Sequence, residues 1–253
     1  MRRRFVCCLL VLVSSSVLSA LRDPAAAEVA RVAVAANFAE AAAAIAERYE
    51  ARSGDRILLA SGSTGQLFTQ IDQGAPFEAF LAADQARPAR AEAEGLAVPG
   101  SRFTYATGRI VLFSPDPTLV EGPQTLRDGR FERLAIANPA TAPYGTAAVE
   151  ALRALGLYEG LAARIVKGNN IAQAYQFVES GNAELGFVAL SQVIASHAGS
   201  RWVVPRDLYR PIAQDAVLLQ AGAGNEAARG FLDYLKGPEA AAVLERFGYG
   251  GGG

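Results

Sequence analysis

Short apolar runs alternate with segments of helical periodicity along most of the chain, and this alternation constrains the fold more than any other feature. The first three apolar runs are residues 29–35, 56–60 and 79–83, and a helix-like segment follows each of them. Strands that are joined through helices pair in parallel. The sequence therefore predicts an α/β fold in which helices cover the faces of a sheet.

Two long extended runs, residues 105–114 and 211–220, bracket a middle block that has strands and helices of its own. If these runs cross between lobes, the chain leaves a first lobe, builds a second and returns to the first. This arrangement predicts two lobes with mixed sheets flanked by helices and a ligand cleft between them. The expected boundaries are 28–108 with 216–253 for lobe 1, and 109–215 for lobe 2.

The N-terminal segment has the order of a secretory signal, in which Arg2, Arg3 and Arg4 precede an apolar run over residues 5–13 and then small residues. The apolar run is shorter than the roughly 20 residues that a membrane-spanning helix needs. We therefore expect residues 1–27 to be cleaved as a signal peptide, with no membrane insertion afterwards and a periplasmic location. At the other end, we expect the glycines at 250–253 to form a tail outside the fold.

Charge and cysteine content exclude several classes of function. The chain has 24 basic and 25 acidic residues, so it lacks the basic field that draws a protein to nucleic acid. Cys7 and Cys8 both lie in the signal segment, which leaves the exported chain without a thiolate for catalysis or for metal binding. The single histidine, His197, is expected in an exposed turn and is the only imidazole available as a base.

Four predicted helices begin at junctions that contain small or amide residues, which are Ala36-Asn37-Phe38, Ser63-Thr64-Gly65, Pro143-Tyr144-Gly145 and Asn169-Asn170-Ile171. A helix start carries unpaired N–H donors and a partial positive charge, so several starts that converge make an anion site without a charged side chain. A fully ionised oxyanion needs donors only. When any one of these junctions is taken alone, ordinary N-capping is the better explanation, and it is their repetition in both halves of the chain that favours an anion site.

Several segments of this sequence together resemble one family. They are VAVAANF (32–38), SGSTGQL (61–67), QGAPFEAFLAADQ (73–85), PGSRFTYATGRIVLFS (99–114), NPATAPYG (138–145) and DYLKGPEAAAVLERFGY (233–249). The chain is similar, over essentially its whole length after the signal segment, to the periplasmic molybdate-binding proteins of molybdate ABC transporters. The segments most specific to this family are GAP-to-ADQ, residues 74–85, and KGP-to-FGY, residues 236–249.

The resemblance implies a class II periplasmic-binding fold that closes on molybdate or tungstate, uses no cofactor and delivers the anion to a membrane permease as a monomer. It places the anion between the starts of helices from both lobes. The implied donors are Asn37 by its side chain and backbone, the N–H of Ala36, the hydroxyl and N–H of Thr64, the N–H of Tyr144 and the N–H of Ile171, with Ser63 as the alternative if the loop register shifts by one residue.

One position departs from the family pattern. Many members place a tyrosine hydroxyl on the anion from the strand that corresponds to residues 187–190, and here that position is Ala189. Phe187 supplies no hydroxyl in its place. The Asn37 side chain is expected to replace the missing donor.

Other functions remain open on the sequence alone. A receptor for sulfate or another oxyanion would share the fold and the neutral donors. An exported hydrolase would need a nucleophile elbow that Ser63 and Thr64 do not form, with His197 as its only imidazole base. An iron receptor would need clustered tyrosines with a carboxylate or histidine, and the sequence shows no such cluster.

Overall fold

The structure is a computed structural model that describes residues 27–251. The predicted signal segment, apart from Ala27, lies outside the described residues, as do Gly252 and Gly253. Within the described residues the strands form two sheets. The strands are β1 (Val29–Ala35), β2 (Arg56–Gly62), β3 (Ala79–Leu81), β4 (Phe103–Gly108), β5 (Ile110–Ser114), β6 (Leu134–Ala137), β7 (Ile165–Gly168), β8 (Leu185–Ala189), β9 (Ser200–Val203), β10 (Ile212–Leu218) and β11 (Gly250–Gly251).

Both sheets are mixed. The first has the strand order β11-β4-β10-β3-β1-β2, with parallel pairing among β3, β1 and β2 and antiparallel pairing elsewhere. The second has the order β7-β6-β8-β5-β9, in which β6 pairs in parallel with β7 and β8 while β5 is antiparallel to β8 and β9. These two sheets, with helices on their faces, confirm the predicted α/β fold class.

The α-helices of the described residues connect or cover these strands. They are α1 (Ala39–Ser53), α2 (Thr64–Asp72), α3 (Ala86–Ala93), α4 (Gln124–Asp128), α5 (Pro143–Ala154), α6 (Tyr158–Leu161), α7 (Ile171–Glu179), α8 (Leu190–Val193), α9 (Glu226–Leu235) and α10 (Pro238–Arg246). A 3₁₀ turn over Ala36–Phe38 leads from β1 into α1. Helix α1 ends at Gly54, whose left-handed φ of 81° suits a residue without a side chain.

Each sheet is covered by apolar side chains on both faces. Along β1, Val32 and Val34 pack with residues of α1, α9 and α10, whereas Ala33 packs with α2 and α3 on the opposite face. In the second sheet, Leu112 packs with α5, and its neighbour Val111 packs towards α7 and α8 on the other face. This alternation follows from the two-residue period of a strand.

The chain passes from the first sheet to the second at a very short connection. Strand β4 ends at Gly108 in the first sheet and β5 begins at Ile110 in the second, so only Arg109 lies between them. The extended run predicted over 105–114 therefore crosses between the two sheets, as two strands with different partner strands. The chain returns to the first sheet at Ile212, the first residue of β10.

The expectation for the C-terminal glycines is wrong in part. Gly250 and Gly251 form β11, which pairs with Thr107 and Ala106 of β4. The pairing needs only backbone groups, which glycine supplies without any apolar pattern in the sequence. It fixes the preceding residue, Tyr249, in the protein interior, where that residue is 7% exposed.

Candidate functional site: a cavity at four helix starts

Four helix starts meet at one small cavity between the two sheets. The cavity volume is about 10 Å³, which is too small for a sugar or an amino acid. The predicted residues from both halves of the chain are brought together here. The lining residues are Ala35, Ala36, Asn37, Gly62, Ser63, Thr64, Ala83, Ala142, Pro143, Tyr144, Asn170 and Ile171.

The half of the cavity on the first sheet carries both side-chain and backbone polar groups. Asn37 lies in the 3₁₀ turn before α1, and Thr64 is the first residue of α2; they are 4% and 1% exposed. The Thr64 hydroxyl accepts a hydrogen bond of 3.0 Å from the N–H of Ala83, so its own proton remains for another acceptor. Ser63 is the N-cap of α2, and its hydroxyl accepts from the N–H of Gln66 at 3.4 Å.

The half on the second sheet presents backbone groups. Tyr144 is the second residue of α5, which begins with Pro143 and has no side-chain cap, and Ile171 is the first residue of α7, which Asn170 caps. Their side chains pack into the core of the second sheet, so the N–H groups are what these residues bring to the cavity. Within residues 27–251, the N–H groups of Thr64, Tyr144 and Ile171 donate to no protein acceptor.

The cavity is suited to an anion through hydrogen-bond donors rather than through charged side chains. None of the lining residues is acidic or basic, and the one titratable group among them, the Tyr144 phenol, has a pKa that burial raises well above its usual value of 10.0. The phenol is therefore neutral around pH 7. Helix starts with neutral donors stabilise an anion whose charge does not depend on a proton.

Behind the cavity lies a buried polar network that we define as Asn37, Tyr105, Tyr144, Ser191, Gln214 and Tyr249. Asn37 is its centre. The Asn37 side-chain nitrogen donates to Gln214 Oε1 at 2.8 Å and to the Tyr249 hydroxyl at 3.2 Å. The Asn37 carbonyl accepts from the hydroxyls of Tyr249, at 2.6 Å, and Ser191, at 2.9 Å.

This network changes the role expected of Asn37. Both hydrogens of its side-chain nitrogen are used inside the protein, by Gln214 and Tyr249, so the side chain has no donor left to replace the missing tyrosine hydroxyl. The backbone N–H of Asn37 remains as its donor towards the cavity. Ala189 lies in β8 and does not line the cavity.

The tyrosines of the network are held neutral. Burial is the main reason that the pKa of Tyr249 is raised to about 12 and that the pKa of Tyr105 lies well above its usual value. Sequence reasoning missed Gln214, Tyr249, Tyr105 and Ser191. A signal was present at Gln214 and its neighbour Asp215, because two adjacent polar residues in an apolar run need polar partners where the strand is buried.

A direct contact joins the two sides of the cavity. The N–H of Gly65, in α2, donates to the carbonyl of Thr141 at 2.8 Å, from the loop that precedes α5. A side-chain carbon on Gly65 would lie 3.1 Å from both the Cα and the carbonyl oxygen of Thr141. Glycine at this position lets the two sides approach closely.

A larger cleft of about 320 Å³ opens next to the cavity and shares Ala83, Ala142 and Pro143 with it. Two ion pairs flank this cleft, one between Asp84 and Arg87 and one between Glu150 and Arg210. Each arginine in the cleft is therefore already paired with a carboxylate, and the cavity keeps its neutral lining.

Comparison with known proteins gives the family. The description "Bacterial extracellular solute-binding protein" matches residues 30–250. The chain is 51% identical over 226 residues to the molybdate-binding protein ModA of Rhodobacter capsulatus, covering 89% of this chain and 90% of the relative. It is 52% identical over 229 residues to ModA of Azotobacter vinelandii, with the same coverage. This chain belongs to the ModA family of bacterial extracellular solute-binding proteins.

The solved structures agree with this family. The periplasmic molybdate-binding protein of Azotobacter vinelandii superimposes with a TM-score of 0.85 at 40% sequence identity, covering 87% of this chain and 98% of that structure. The resemblance seen in the sequence is thereby confirmed. In this ModA-family chain, His197 is exposed in the segment after α8 and does not line the cavity, which gives the hydrolase hypothesis no base at the site.

No helix within residues 27–251 is long and apolar enough to cross a membrane. In the same part of the chain, no three His, Cys, Asp or Glu residues are grouped as the ligands of a metal ion would be. The tyrosines that do cluster, in the network around Asn37, have hydroxyls that are bonded to amide, hydroxyl and carbonyl groups.

Proposed function

We propose that this protein is an extracytoplasmic receptor that binds molybdate, and also tungstate, in the cavity between its two sheets and delivers the anion to the membrane permease of an ABC transporter. The observation that carries this proposal is the cavity itself, which is small, buried and lined by neutral donors at four helix starts. The names of the ModA relatives support molybdate as the anion.

The anion is bound from both sides. We propose the N–H of Asn37, the N–H and hydroxyl of Thr64, and the N–H groups of Tyr144 and Ile171 as its donors. Ala36 lines the same cavity and its N–H is a further candidate, and Ser63 is the alternative to Thr64. A tetrahedral oxyanion offers four oxygens in different directions, which suits donors that come from helices of two sheets.

The binding mechanism is a hinge motion. Lobe 1 is proposed to comprise residues 28–108 with 216–253, and lobe 2 residues 109–215, with the first residues of β10 adding to the sheet of lobe 1. The short connection at Arg109 suits a hinge, because few residues need to change conformation. The anion contacts donors of both lobes only when they are closed, so it favours the closed state by those contacts.

As a receptor of this kind, the protein is proposed to be a binding protein and not an enzyme, to act as a monomer, and to be periplasmic after removal of residues 1–27. Loss of that segment removes four arginines and one aspartate, so the exported chain has 20 basic and 24 acidic residues and a net charge of −4. No cofactor takes part, since the anion is the transported ligand.

The test is calorimetric titration of the desalted, processed protein with molybdate, tungstate, sulfate and phosphate. We expect tight binding of one molybdate or tungstate per protein, and weak or undetectable heat with sulfate and phosphate, because the cavity selects among oxyanions by size. Sulfate binding as tight as molybdate binding would assign the protein to the sulfate-type receptors. No binding of any of the four anions would overturn the receptor proposal.

A further inference from the structure

We propose that Gln214 is a positioning residue that couples the two halves of the anion site and so slows release of the bound anion. Gln214 lies in β10, the strand by which the chain returns to the first sheet, and its side chain is fully buried. It does not line the cavity. It therefore acts through residues that line the cavity. The inference rests on the proposed function, because it concerns the same anion site.

The two ends of the Gln214 amide reach the two halves of the site. Its Oε1 accepts from the side-chain nitrogen of Asn37 at 2.8 Å, and its Nε2 faces the Tyr144 hydroxyl at 3.5 Å. The amide oxygen of Gln214 thus faces Asn37, and its amide nitrogen faces Tyr144. One planar group thus connects a residue of the first half with a residue of the second.

The backbone around Gln214 is shaped to permit this bridge. A side-chain carbon on Gly108 would lie 2.8 Å from Gln214 Nε2 and would overlap the Tyr144 hydroxyl. Gly108 is the last residue of β4, directly before the connection to the second sheet. The pairing of β10 with β4 shifts register between Gln214 and Asp215, an irregularity of the kind that turns a side chain to a new direction.

A bridge of this kind has an effect that ordinary core packing lacks. If Gln214 only filled space, an apolar side chain of similar length would lower stability but would leave the two halves of the site independent. If Gln214 transmits position, its loss must loosen Asn37 and Tyr144 together. Tyr105 provides the contrast, because its hydroxyl lies 3.2 Å from the same Gln214 oxygen and 3.0 Å from the Ala82 carbonyl, while Tyr105 lines neither half of the cavity.

The first test needs no ligand. Residue-resolved amide hydrogen exchange is measured on the ligand-free wild type, Gln214→Met and the matched control Tyr105→Phe. We expect Gln214→Met to raise exchange about tenfold both at residues 36–38 and at residues 144–146, and Tyr105→Phe to leave both segments within about twofold of the wild type. Faster exchange at only one of the two segments, or equal effects of both substitutions, would overturn the bridge.

A second variant keeps the test decisive if Gln214→Met does not fold. Tyr144→Phe removes only the hydroxyl at the far end of the bridge and conserves the shape of the ring. We expect it to raise exchange at residues 36–38, in the opposite half of the site. Unchanged exchange at residues 36–38 would contradict the coupling.

The last measurement concerns the ligand. The dissociation rate of molybdate from Gln214→Met is expected to rise at least tenfold with an association rate within about threefold of the wild type, since the loss acts on the closed complex. An unchanged dissociation rate in Gln214→Met would overturn the proposal. A wild type that binds no molybdate would instead contradict the proposed function, and the exchange experiment would still decide the bridge.

Discussion

The two halves of the anion site use different chemistry for the same task. The half on the first sheet presents a buried hydroxyl, Thr64, beside backbone donors, whereas the half on the second sheet presents the N–H groups of Tyr144 and Ile171. A side-chain donor is specified by its residue type. A backbone donor is specified by the position of a helix start, so any residue that fits the local packing conserves it.

This difference predicts where substitutions act. The first half is sensitive to the loss of a single polar atom. The donors of the second half are backbone groups, so binding there depends on the position of the helix that carries each N–H group.

Gly145→Ala is expected to weaken molybdate binding most, by about 3 kcal/mol or roughly a hundredfold in Kd. The added carbon would lie 2.9 Å from the Pro139 nitrogen and nearer still to the Ala137 carbonyl oxygen, so the start of α5 and the Tyr144 N–H must move. Titration calorimetry measures the effect. Gly160→Ala is the matched control, because nothing lies within 4 Å of its added carbon. Equal Kd values for the two variants would contradict the dependence on helix position.

Thr64→Ala is expected to weaken binding by about 2 kcal/mol, because a hydrogen bond to a charged group is lost and the desolvated anion is left short of a donor. The same titration measures it. Thr69→Ala is the control on the same helix, since that hydroxyl is exposed and bonds to the carbonyl of Gly65. A Kd for Thr64→Ala within twofold of the control would remove Thr64 from the set of donors.

Ser63→Ala is expected to act on stability more than on binding. It removes the N-cap of α2, which costs about 1 kcal/mol of unfolding free energy, while the Thr64 donors remain. Chemical denaturation and titration of the same sample separate the two effects. A larger loss of affinity in Ser63→Ala than in Thr64→Ala would show that Ser63 is the hydroxyl donor of the first half.

The pH is expected to have the smallest effect on binding. Both halves use donors that do not titrate near neutrality, so Kd should change by less than about twofold between about pH 7 and about pH 9. Stability behaves differently at higher pH. The pKa of Tyr249 is raised by burial from 10.0 to about 12, so its contribution to stability is complete below pH 10 and is lost as the pH rises towards 12. Titration and thermal unfolding across this range measure both, and a marked fall in affinity by pH 9 would indicate a titrating donor.

The sequence predicts the helix starts of the site because their signals are local. Thr64 and Ile171 each stand at the first turn of a helix that follows a short apolar strand, with Ser63 and Asn170 as polar caps. The parallel pairing of β1 with β2 and β3 also follows from the alternation of strands and helices, whereas the antiparallel pairing of β10 does not. The positions of these helix starts can therefore be predicted from the local sequence alone.

The polar network around Asn37 cannot be predicted from the local sequence. Asn37 is separated from Gln214 by 177 residues and from Tyr249 by 212, and no local pattern encodes these contacts. The partners of the Asn37 side chain could not be predicted for this reason, since they are determined by the tertiary fold. The pairing of Gly250 and Gly251 with β4 is likewise invisible in the sequence, because it depends on backbone groups alone.

The most direct test of an anion site shared by both sheets is a crystal structure of the molybdate complex with anomalous scattering recorded for the metal. We expect a single anomalous peak in the cavity, with oxygens about 2.7 to 3.2 Å from the N–H groups of Thr64, Tyr144 and Ile171. We also expect the Asn37 side chain still to bond to Gln214. A peak outside this cavity, or an anion held from one sheet alone, would contradict the claim that donors of both halves bind one anion.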